Sequence, residues 1–222
     1  MKTVVITGTD KGIGKALCEK FLAEGFFVIG TYFKEFSLVH PEFFGIPLNL
    51  MDAESISTCV NQIKSMGRTI DLLINNAGVL LDEEQTSVEI DRLRKTLEVN
   101  VIGTIDFTQQ IISCLNTQAH IVNISSTAGS LSLVGKVSHF MGHYPAYKIS
   151  KAALNMYTCV LALELANTGI IVSSVHPGWV KTDIGGQEAD LTPQQAAEGI
   201  YTVATMRPES GGFWFAGEPL PW

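Results

Sequence analysis

The chain has 222 residues, a mass of 24.1 kDa, 46% apolar residues and 17% charged residues, which is enough for one well-buried domain and too little for two. The formal net charge of −7 and the isoelectric point of about 5.2 argue against a nucleic-acid or anionic-membrane partner, because either would require a large basic patch. We therefore expect a single domain over residues 1–222, in which basic residues act only locally.

The cysteines and the N-terminal segment indicate the compartment. Cys18, Cys59, Cys114 and Cys159 show no CxxC pairing and fall in predicted helices, where cysteine ordinarily acts as a small buried hydrophobic residue. The opening MKTVVITGTDKGIG has a short apolar run followed at once by a glycine-rich turn, which is typical of a strand and not of a signal peptide or a membrane span. We expect a reducing, cytoplasmic setting.

Short β-branched runs alternate with longer segments of helical periodicity. The runs are TVVIT, FVIGTY, DLLINNAG, HIVNISS and IIVSSVHPG, and the helical segments are 13–24, 53–66, 91–115, 146–166 and 193–205. Because the strands are continuously apolar, they predict burial on both faces, as in a parallel sheet between two layers of helices. The predicted fold is therefore a single-domain, Rossmann-type, doubly wound α/β fold. Irregular structure is expected at 33–45 and 127–143.

A glycine-rich turn, Thr7 to Gly14, follows the first predicted strand and precedes the first predicted helix. Its glycines would let the backbone turn sharply and approach a pyrophosphate, whose charge would lie at the N-terminus of the helix. We interpret this turn as a dinucleotide site, and a merely structural βα turn is the alternative.

The end of the second predicted strand indicates which dinucleotide is bound. An acidic side chain at this point would pair with the adenosine ribose hydroxyls, but the chain has Tyr32, Phe33 and Lys34 there. A 2′-phosphate would be attracted by Lys34 and by Lys11 in the glycine-rich turn. We therefore predict NADP(H) in preference to NAD(H); the alternative is that both lysines are solvated surface charges.

Tyr147 and Lys151 lie four positions apart in a predicted helix, so their side chains share one face. A phenol with an ordinary pKa of about 10 is a poor base at neutral pH. A nearby ammonium group would stabilise the phenolate and bring that pKa closer to the working range. The pair is therefore a candidate proton-transfer couple, although most pairs of this kind are ordinary surface residues.

Several stretches, in the same order along the chain, resemble the short-chain dehydrogenase/reductase family. They are the turn at 7–14, Asn75-Asn76-Ala77-Gly78, Asn100, NISS at 123–126, Tyr147-x-x-x-Lys151, and Pro177-Gly178 followed by Thr182. The resemblance covers nearly the whole chain. More narrowly, PGWVKTDIGG at 177–186 and the final GGFWFAGEPLPW are similar to the branch that contains carbonyl reductases, sniffer and C-factor.

The resemblance implies a catalytic set of Asn100, Ser126, Tyr147 and Lys151. Tyr147 would protonate the substrate oxygen, Ser126 would donate a hydrogen bond to it, and Lys151 would also bind the nicotinamide ribose. Asn100 would hold a water that relays protons to Lys151. Ser125 is the alternative to Ser126. Independently of the resemblance, Asn100 lies in a predicted helix, where asparagine has poor propensity, so a local use of its side chain is expected.

The resemblance also implies the cofactor contacts. The expected cofactor-binding residues are Gly8, Lys11, Gly12, Ile13, Gly14, Tyr32, Lys34, Asn49, Leu50, Asn76, Ala77, Gly78, Tyr147, Lys151, Pro177, Gly178, Val180 and Thr182. Asn49 stands where the family usually has an aspartate that touches adenine. A structural turn is the alternative for the segment that contains Asn76, and N-capping of the next segment is the alternative for Thr182.

The segment between Ser126 and Tyr147 is longer than in typical members of the family, as it also is in the carbonyl reductase branch. The residues expected to line the substrate pocket are Phe140, Met141, His143, Tyr144 and Trp179. An ordinary surface loop is the alternative. His139 and His143 are four apart, but no third ligand is suggested nearby, and no metal site is expected. Because the chain is short for its family, we expect an open pocket of low substrate specificity.

The expected activity is NADPH-dependent reduction of an aldehyde, ketone or quinone carbonyl, reversible in principle as alcohol oxidation. The alternative is a C-factor-like signalling protein, although a mere nucleotide binder does not need the proton-transfer residues. Extended-family epimerases and dehydratases are disfavoured because no C-terminal substrate domain is evident. Long apolar stretches, VIGTIDFTQQII and ALNMYTCVLALELA, predict a homodimer, and the resemblance implies the same; the insertion at 127–143 argues for a monomer.

Overall fold

One mostly parallel sheet forms the centre of the protein. The structure, a computed structural model, describes residues 1–35, 38–82, 85–136 and 143–222. The strands in these residues are β1 (Thr3–Ile6), β2 (Phe27–Tyr32), β3 (Phe43–Pro47), β4 (Ile70–Asn75), β5 (Leu115–Ile124), β6 (Ile171–Val175), β7 (Gly212–Phe215) and β8 (Glu218–Leu220). Their order is β3-β2-β1-β4-β5-β6-β7-β8, and β8 is antiparallel to β7 whereas the other pairs are parallel.

Helices cover both faces of this sheet. They are α1 (Gly12–Ala23), α2 (Ala53–Ser65), α3 (Ile90–Leu97), α4 (Thr104–Ile111), α5 (Pro145–Glu164) and α6 (Pro193–Met206). Helices α1 and α6 enclose one core around Phe21, and α2, α4 and α5 enclose the other around Phe107. Both phenylalanines are fully buried, and burial of such a side chain contributes roughly 1.5–3 kcal/mol.

The strand order confirms the predicted doubly wound α/β fold. Strand β1 pairs with β2 on one side and β4 on the other, so the direction of winding reverses beside it. In sheets of this kind ligands bind outside the carboxyl ends of the strands, at the point of reversal. The loops after β1, β2, β4, β5 and β6 therefore meet at the edge where the predicted site residues lie.

The predicted helix over 91–115 is one helical segment with a wider turn in its middle. Helix α3 is followed by a π-helical turn at Glu98–Gly103 and then directly by α4. A short 3-10 turn, Ile112–Cys114, ends the segment, and β5 begins at the next residue. Turns of the π type are rare and frequently lie at functional sites. Here the turn contains Asn100.

The π-helical turn packs tightly against the loop after β3. A Cβ atom on Gly103 would lie 2.0 Å from the carbonyl oxygen of Leu50, so only glycine fits there. The Thr104 hydroxyl donates a hydrogen bond to the Val99 carbonyl at 3.1 Å. These contacts fix the turn in place although its hydrogen-bond pattern departs from that of an α-helix.

Three strands were not among the predicted runs. Strand β3 lies partly in the stretch expected to be irregular, because it is the edge strand and only Ile46 in it is buried. Strands β7 and β8 are short, and β8 has no buried residue. Continuous apolar runs reveal long central strands, whereas the edge strands β3 and β8 lack this signal. Strand β7 lies between β6 and β8 but has only four residues. None of the described helices is long and apolar enough to cross a bilayer.

Candidate active site

Tyr147, Lys151 and Ser126 lie together at the carboxyl end of β5. Tyr147 and Lys151 are on the inner face of α5 and are 6% and 5% exposed. Ser126 follows β5 directly and begins a 3-10 turn, where its hydroxyl accepts a hydrogen bond from the Ala128 N–H at 3.1 Å. The Ser126 and Tyr147 side chains are hydrogen bonded to each other. The structure therefore brings together three of the predicted catalytic residues.

Burial further stabilises the protonated form of Tyr147. It raises the pKa of the phenol to about 12, and the hydrogen bond with Ser126 acts in the opposite direction. The expectation that Lys151 brings this pKa closer to neutrality is therefore wrong for the free protein. Removal of the phenol from water disfavours the phenolate more than the neighbouring groups stabilise it. Tyr147 is consequently a protonated phenol at physiological pH, which is the form that can donate a proton.

Lys151 is anchored to the end of β5. Its ammonium group donates a hydrogen bond to the Ile124 carbonyl at 2.8 Å and lies 5.5 Å from the centre of the Tyr147 ring. Burial lowers the pKa of Lys151 to about 8, because the charged form loses hydration. The ammonium form therefore predominates at neutral pH.

Two neighbouring serines have different surroundings. Ser125 is buried and donates its hydroxyl hydrogen bond to the Asn155 side-chain oxygen. Ser126 faces Tyr147 instead. This arrangement favours Ser126 over the alternative, Ser125, as the residue that contacts a substrate oxygen.

Asn155 and Gly129 are residues that the sequence interpretation missed. Asn155 Nδ2 donates to the Gly129 carbonyl at 3.3 Å, and a Cβ atom on Gly129 would lie 2.4 Å from the carbonyl carbon of Lys151. The turn that carries Ser126 is therefore held directly against α5. Helical spacing could have revealed Asn155, because it lies four residues after Lys151 on the same face.

Asn100 connects the loop after β4 to α5. Its Oδ1 accepts from the Val79 N–H at 2.8 Å, and its Nδ2 donates to the Val79 carbonyl at 2.9 Å and to Ser150 Oγ at 3.0 Å. The local use of this side chain expected from its helical position is thus structural bracing. Gly78 lies close by, since a Cβ atom there would be 3.3 Å from Asn100 Oδ1 and 3.6 Å from Lys151 Nζ. The role of holding a water stays a prediction.

The glycine-rich turn has the close backbone approach that a dinucleotide requires. Gly8 and Gly12 have φ values of 70° and 53°, which L-residues with side chains rarely adopt. A Cβ atom on Gly14 would lie 1.9 Å from the Gly8 carbonyl oxygen. Ile13 is half-buried in the first turn of α1. The helix has no side-chain cap, and its first turn contains no acidic residue. This uncapped helix N-terminus fits a phosphate group.

Asn76 braces the glycine-rich turn. Its Nδ2 donates to the carbonyls of Thr7 and Gly8 at 2.9 and 3.0 Å, and the Thr7 hydroxyl accepts from the N–H groups of Asn76 and Ala77. A Cβ atom on Gly8 would also lie 2.9 Å from Ala77 Cα. The segment after β4, which contains Asn76, therefore supports the glycine-rich turn. This is the structural role given above as the alternative to direct contact with the cofactor.

The segment after β6 closes over the glycine-rich turn. The methyl group of Thr182 would lie 3.2 Å from a Cβ atom on Gly12, and the neighbouring Asp183 forms an exposed ion pair with Lys11. Lys11 holds the pKa of the Asp183 carboxyl below its usual range. The Thr182 hydroxyl accepts from the Gly185 N–H at 3.2 Å within a turn. The next described helix, α6, is capped by Thr192, so N-capping of a helix by Thr182, the alternative to cofactor binding, is not observed.

The remaining residues of this segment shape the same wall. Gly178 has a φ of 89°, and a Cβ atom there would lie 2.4 Å from Leu191 Cδ1. Val180 is buried and forms a bridge with Leu191. Pro177 precedes this turn, and Trp179 Nε1 donates to the Gly185 carbonyl at 2.7 Å. The wall is thus built by backbone contacts that hold Trp179 in a defined position.

The predicted adenosine-side residues lie at the ends of β2 and β3. Tyr32 is half-buried and Lys34 is exposed. Asn49 Oδ1 accepts from the Met51 N–H at 3.0 Å, and Leu50 is buried. These residues are at the same edge of the sheet as the glycine-rich turn, as their positions after parallel strands require.

Only part of the predicted substrate pocket can be placed. Phe140 and Met141, together with His139, lie outside the described residues. His143 is exposed, and Tyr144 is half-buried with a φ of 38°. A non-glycine residue in this left-handed conformation is uncommon and often lies at a functional site.

Comparisons with known proteins identify the family. Residues 2–191 match the model of the family described as short chain dehydrogenase, and the chain belongs to this family. The chain is 32% identical over 211 residues to the 3-oxoacyl-(acyl-carrier-protein) reductase FabG of Aquifex aeolicus, a match that covers 90% of this chain and 82% of that protein. The resemblance found in the sequence is thereby confirmed.

Solved structures give the same result at the level of the fold. The NADPH-bound carbonyl reductase from chicken fatty liver has a TM-score of 0.90 and 28% identity, with 100% of this chain and 99% of that chain covered. The carbonyl reductase Sniffer of D. melanogaster has a TM-score of 0.89 and 27% identity, with both chains fully covered at 100%. Both structures belong to the carbonyl reductase branch expected from the sequence.

Proposed function

We propose that this protein is an NADPH-dependent reductase of aldehyde, ketone or quinone carbonyls. The observation that carries the proposal is the contact between Ser126 and the protonated phenol of Tyr147, with Lys151 held beside them. A proton donor next to a second hydroxyl, both at the carboxyl edge of the sheet, suits a carbonyl oxygen that must be polarised and then protonated.

The residues around the glycine-rich turn fit a dinucleotide. The left-handed Gly8 and Gly12 and the uncapped start of α1 form a cradle for a pyrophosphate. Lys11 and Lys34 would attract the 2′-phosphate of NADP(H), and the similar chicken enzyme is described as NADPH bound. When bound, NADPH supplies the hydride for carbonyl reduction.

The chain's own residues carry out the acid step. Tyr147 donates its phenolic proton to the substrate oxygen as negative charge develops there, and Ser126 donates a hydrogen bond to the same oxygen. Lys151, as an ammonium group, then stabilises the phenolate that remains on Tyr147. Asn100 holds the loop after β4 and Ser150 of α5 in register with these groups.

The substrate is proposed only as a class. Tyr144, His143 and Trp179 stand near the start of α5 and in the loop after β6, and we assign them to the pocket with Phe140 and Met141. The relatives are described as reductases and dehydrogenases of different compounds, and the signalling alternative has no support among them.

A substrate screen tests the proposed activity. Purified protein is mixed with NADPH and panels of aldehydes, ketones and quinones, and the loss of NADPH absorbance is followed. We expect oxidation of NADPH with at least one carbonyl class, and much less with NADH. Tight NADPH binding without turnover on any panel would contradict the proposal and favour a nucleotide-binding regulatory protein.

We also infer a homodimer in the cytoplasm. The outer face of α5 carries Ile149, Met156, Val160 and Leu163 as exposed apolar side chains. The last three are spaced by four and three residues, so they form one stripe on the helix. Exposed apolar patches of this kind mark protein contacts, and a two-fold contact between identical faces would cover both copies.

Free cysteines, including buried Cys18 and Cys59, suit a reducing compartment.

A further inference from the structure

A buried carboxylate lies at the start of the helix that carries Tyr147. Asp82, in the loop after β4, is 1% exposed. Its Oδ2 accepts a hydrogen bond from the Ala146 N–H at 2.6 Å. Within the described residues its other oxygen, Oδ1, has no hydrogen-bond partner. Among the described residues, the hydrogen bond that the side chain of Asp82 makes is thus the one with Ala146, which directly precedes Tyr147.

Helix α5 has no cap from its own sequence. Its N-cap residue, Tyr144, has a left-handed backbone and makes no side-chain capping bond, and Pro145 has no N–H group. Ala146 is thus the first residue of the helix that offers a donor. A buried N–H group without an acceptor is unfavourable, and a carboxylate at a helix N-terminus also interacts favourably with the helix dipole. Asp82 satisfies both requirements from a distant part of the chain.

The same loop is attached at its other end to Asn100. Val79, three residues before Asp82, exchanges two hydrogen bonds with the Asn100 side chain. Asn100 also donates to Ser150 Oγ, and that hydroxyl donates to the Tyr147 carbonyl at 2.8 Å. The hydrogen bonds therefore form a closed path that reaches Tyr147 from both sides of its backbone.

We propose that Asp82 is a positioning residue for the general acid. By accepting the Ala146 N–H it fixes the first turn of α5, and thereby the place of the Tyr147 phenol relative to Ser126. The inference rests on the proposed carbonyl reductase function, because it assigns Asp82 a role in that reaction. It goes beyond a stabilising helix cap, because loss of the contact should impair turnover more than it impairs folding or cofactor binding.

Two substitutions at Asp82 and one control test the inference. Asp82→Ala removes the acceptor, and Asp82→Asn removes the charge but keeps an oxygen that can accept the N–H. Asp52→Ala is the matched control, since Asp52 caps α2 by accepting from the Glu54 N–H at 3.0 Å and is exposed. For each protein we would measure kcat, KM, the Kd for NADPH, the unfolding midpoint and the amide exchange rate of Ala146.

A displacement of about 1 Å of a reacting group can lower a rate by about 100-fold. We therefore expect Asp82→Ala to lower kcat by about 10- to 100-fold while KM and the Kd for NADPH change by less than about threefold. Asp82→Asn should recover most of kcat. Exchange of the Ala146 amide should accelerate by at least about tenfold in Asp82→Ala. Asp52→Ala should lower the unfolding midpoint with kcat within about twofold of wild type.

Several results would overturn the inference. These are near-normal kcat in Asp82→Ala, equal losses in Asp82→Ala and Asp82→Asn, or unchanged exchange at Ala146. If Asp82→Ala does not fold, Asp82→Ser is used in its place. The serine side chain is one bond shorter, so its oxygen lies too far from the Ala146 N–H, and we expect the same losses. Wild-type protein and Tyr147→Phe in the same assay report separately on the proposed function, and the exchange measurement needs no turnover.

Discussion

The ammonium group of Lys151 lies 5.5 Å from the centre of the Tyr147 ring and donates its hydrogen bond to the Ile124 carbonyl, at the end of β5. Burial shifts the two pKa values in opposite directions, to about 12 for Tyr147 and to about 8 for Lys151. At neutral pH the free protein therefore presents a neutral phenol beside an ammonium group. This pair of protonation states suits proton donation to a substrate.

The first prediction concerns the phenol itself. Tyr147→Phe removes the proton donor, and we expect carbonyl reduction to fall by about 100- to 10,000-fold, the usual contribution of a positioned acid. The Kd for NADPH should stay within a few fold, because the glycine-rich turn is untouched. Steady-state kinetics and a cofactor titration measure the two quantities. Near-normal turnover would remove Tyr147 from the proposed mechanism.

The second prediction concerns pH. Lys151 is charged below its pKa of about 8, so kcat/KM for carbonyl reduction should be level below that pH and decline as pH rises through it, because the ammonium group that stabilises the phenolate is lost. Alcohol oxidation requires the phenolate of Tyr147, whose pKa is about 12, and should be slow at neutral pH.

Lys151→Arg separates this limb from other titrations. The guanidinium group stays charged over the whole range, so the decline of reduction near pH 8 should disappear from the normalised profile, although the absolute rate falls. An unchanged decline in the variant would mean that another group titrates there.

The third prediction concerns the choice of cofactor. Replacement of both Lys11 and Lys34 with alanine should raise the Kd for NADPH by at least about tenfold, as expected for loss of a bond to a charged group. The Kd for NADH should stay nearly unchanged. Lys64→Ala is a matched control, because Lys64 lies in the last turn of α2, away from the glycine-rich turn. Equal weakening of both cofactors would exclude recognition of the 2′-phosphate.

Asp183 adds a second arm to that experiment. In the free protein Asp183 is paired with Lys11. Asp183→Asn should therefore free the Lys11 ammonium group and modestly lower the Kd for NADPH, with little effect on the Kd for NADH. Because the pair is exposed, its contribution is small and should diminish further at high salt.

The fourth prediction concerns acid stability. Burial lowers the pKa of His120 from 6.5 to about 4, while its hydrogen bond to the Ala204 carbonyl acts in the opposite direction. As pH falls below about 6.5, the unfolded chain takes up a proton at His120 and the folded protein does not. The free energy of unfolding should therefore decrease by about 3 kcal/mol between neutral pH and pH 4 from this residue alone.

Denaturant unfolding at a series of pH values measures this effect. His120→Gln retains a side chain capable of hydrogen bonding to Ser173 but does not titrate, so its stability should change less steeply over the same window. Parallel curves for the two proteins would assign the acid sensitivity to other groups.

The fifth prediction concerns assembly. We expect light scattering of the wild-type protein at micromolar concentration to give twice the 24.1 kDa chain mass. Leu163→Asp, in the exposed stripe of α5, should yield a monomer. Val39→Asp is the control, because Val39 is also an exposed apolar residue but lies outside α5. A wild-type mass equal to one chain would show that this stripe is not an interface.

Much of the fold follows from local patterns. Strands β1, β2 and β4 are predictable because burial on both faces makes them mostly apolar. Strands β5 and β6 are predictable from shorter apolar and β-branched runs, since β5 begins with polar residues and β6 contains Ser173 and Ser174. The Tyr147-Lys151 pair is predictable because helical spacing alone places both side chains on one face. These features depend on residues close together in the sequence.

The features that could not be predicted depend on distant contacts. Asp82 and Ala146 are separated by 64 positions, and no spacing rule connects them. The raised pKa of Tyr147 results from burial of its phenol by residues from several parts of the chain. The neighbouring Lys151, considered alone, suggested that this pKa would be lowered. The π-helical turn at Glu98–Gly103 could not be recognised from hydrophobic periodicity. It lies inside one continuous helical segment and changes the spacing of side chains over a single turn only.

The π-helical turn touches both ends of the expected cofactor path. Gly103 packs against the Leu50 carbonyl, on the side proposed for adenosine. Asn100, three residues earlier, binds Val79 and Ser150, on the side proposed for nicotinamide. A substitution that shifts this turn therefore changes its contacts at both ends of the expected cofactor path together. Since a side chain at Gly103 has no room, the helix would have to move away from Leu50 and take Asn100 with it. One added methyl group at Gly103, outside both proposed sites, should therefore impair adenosine recognition and proton transfer together.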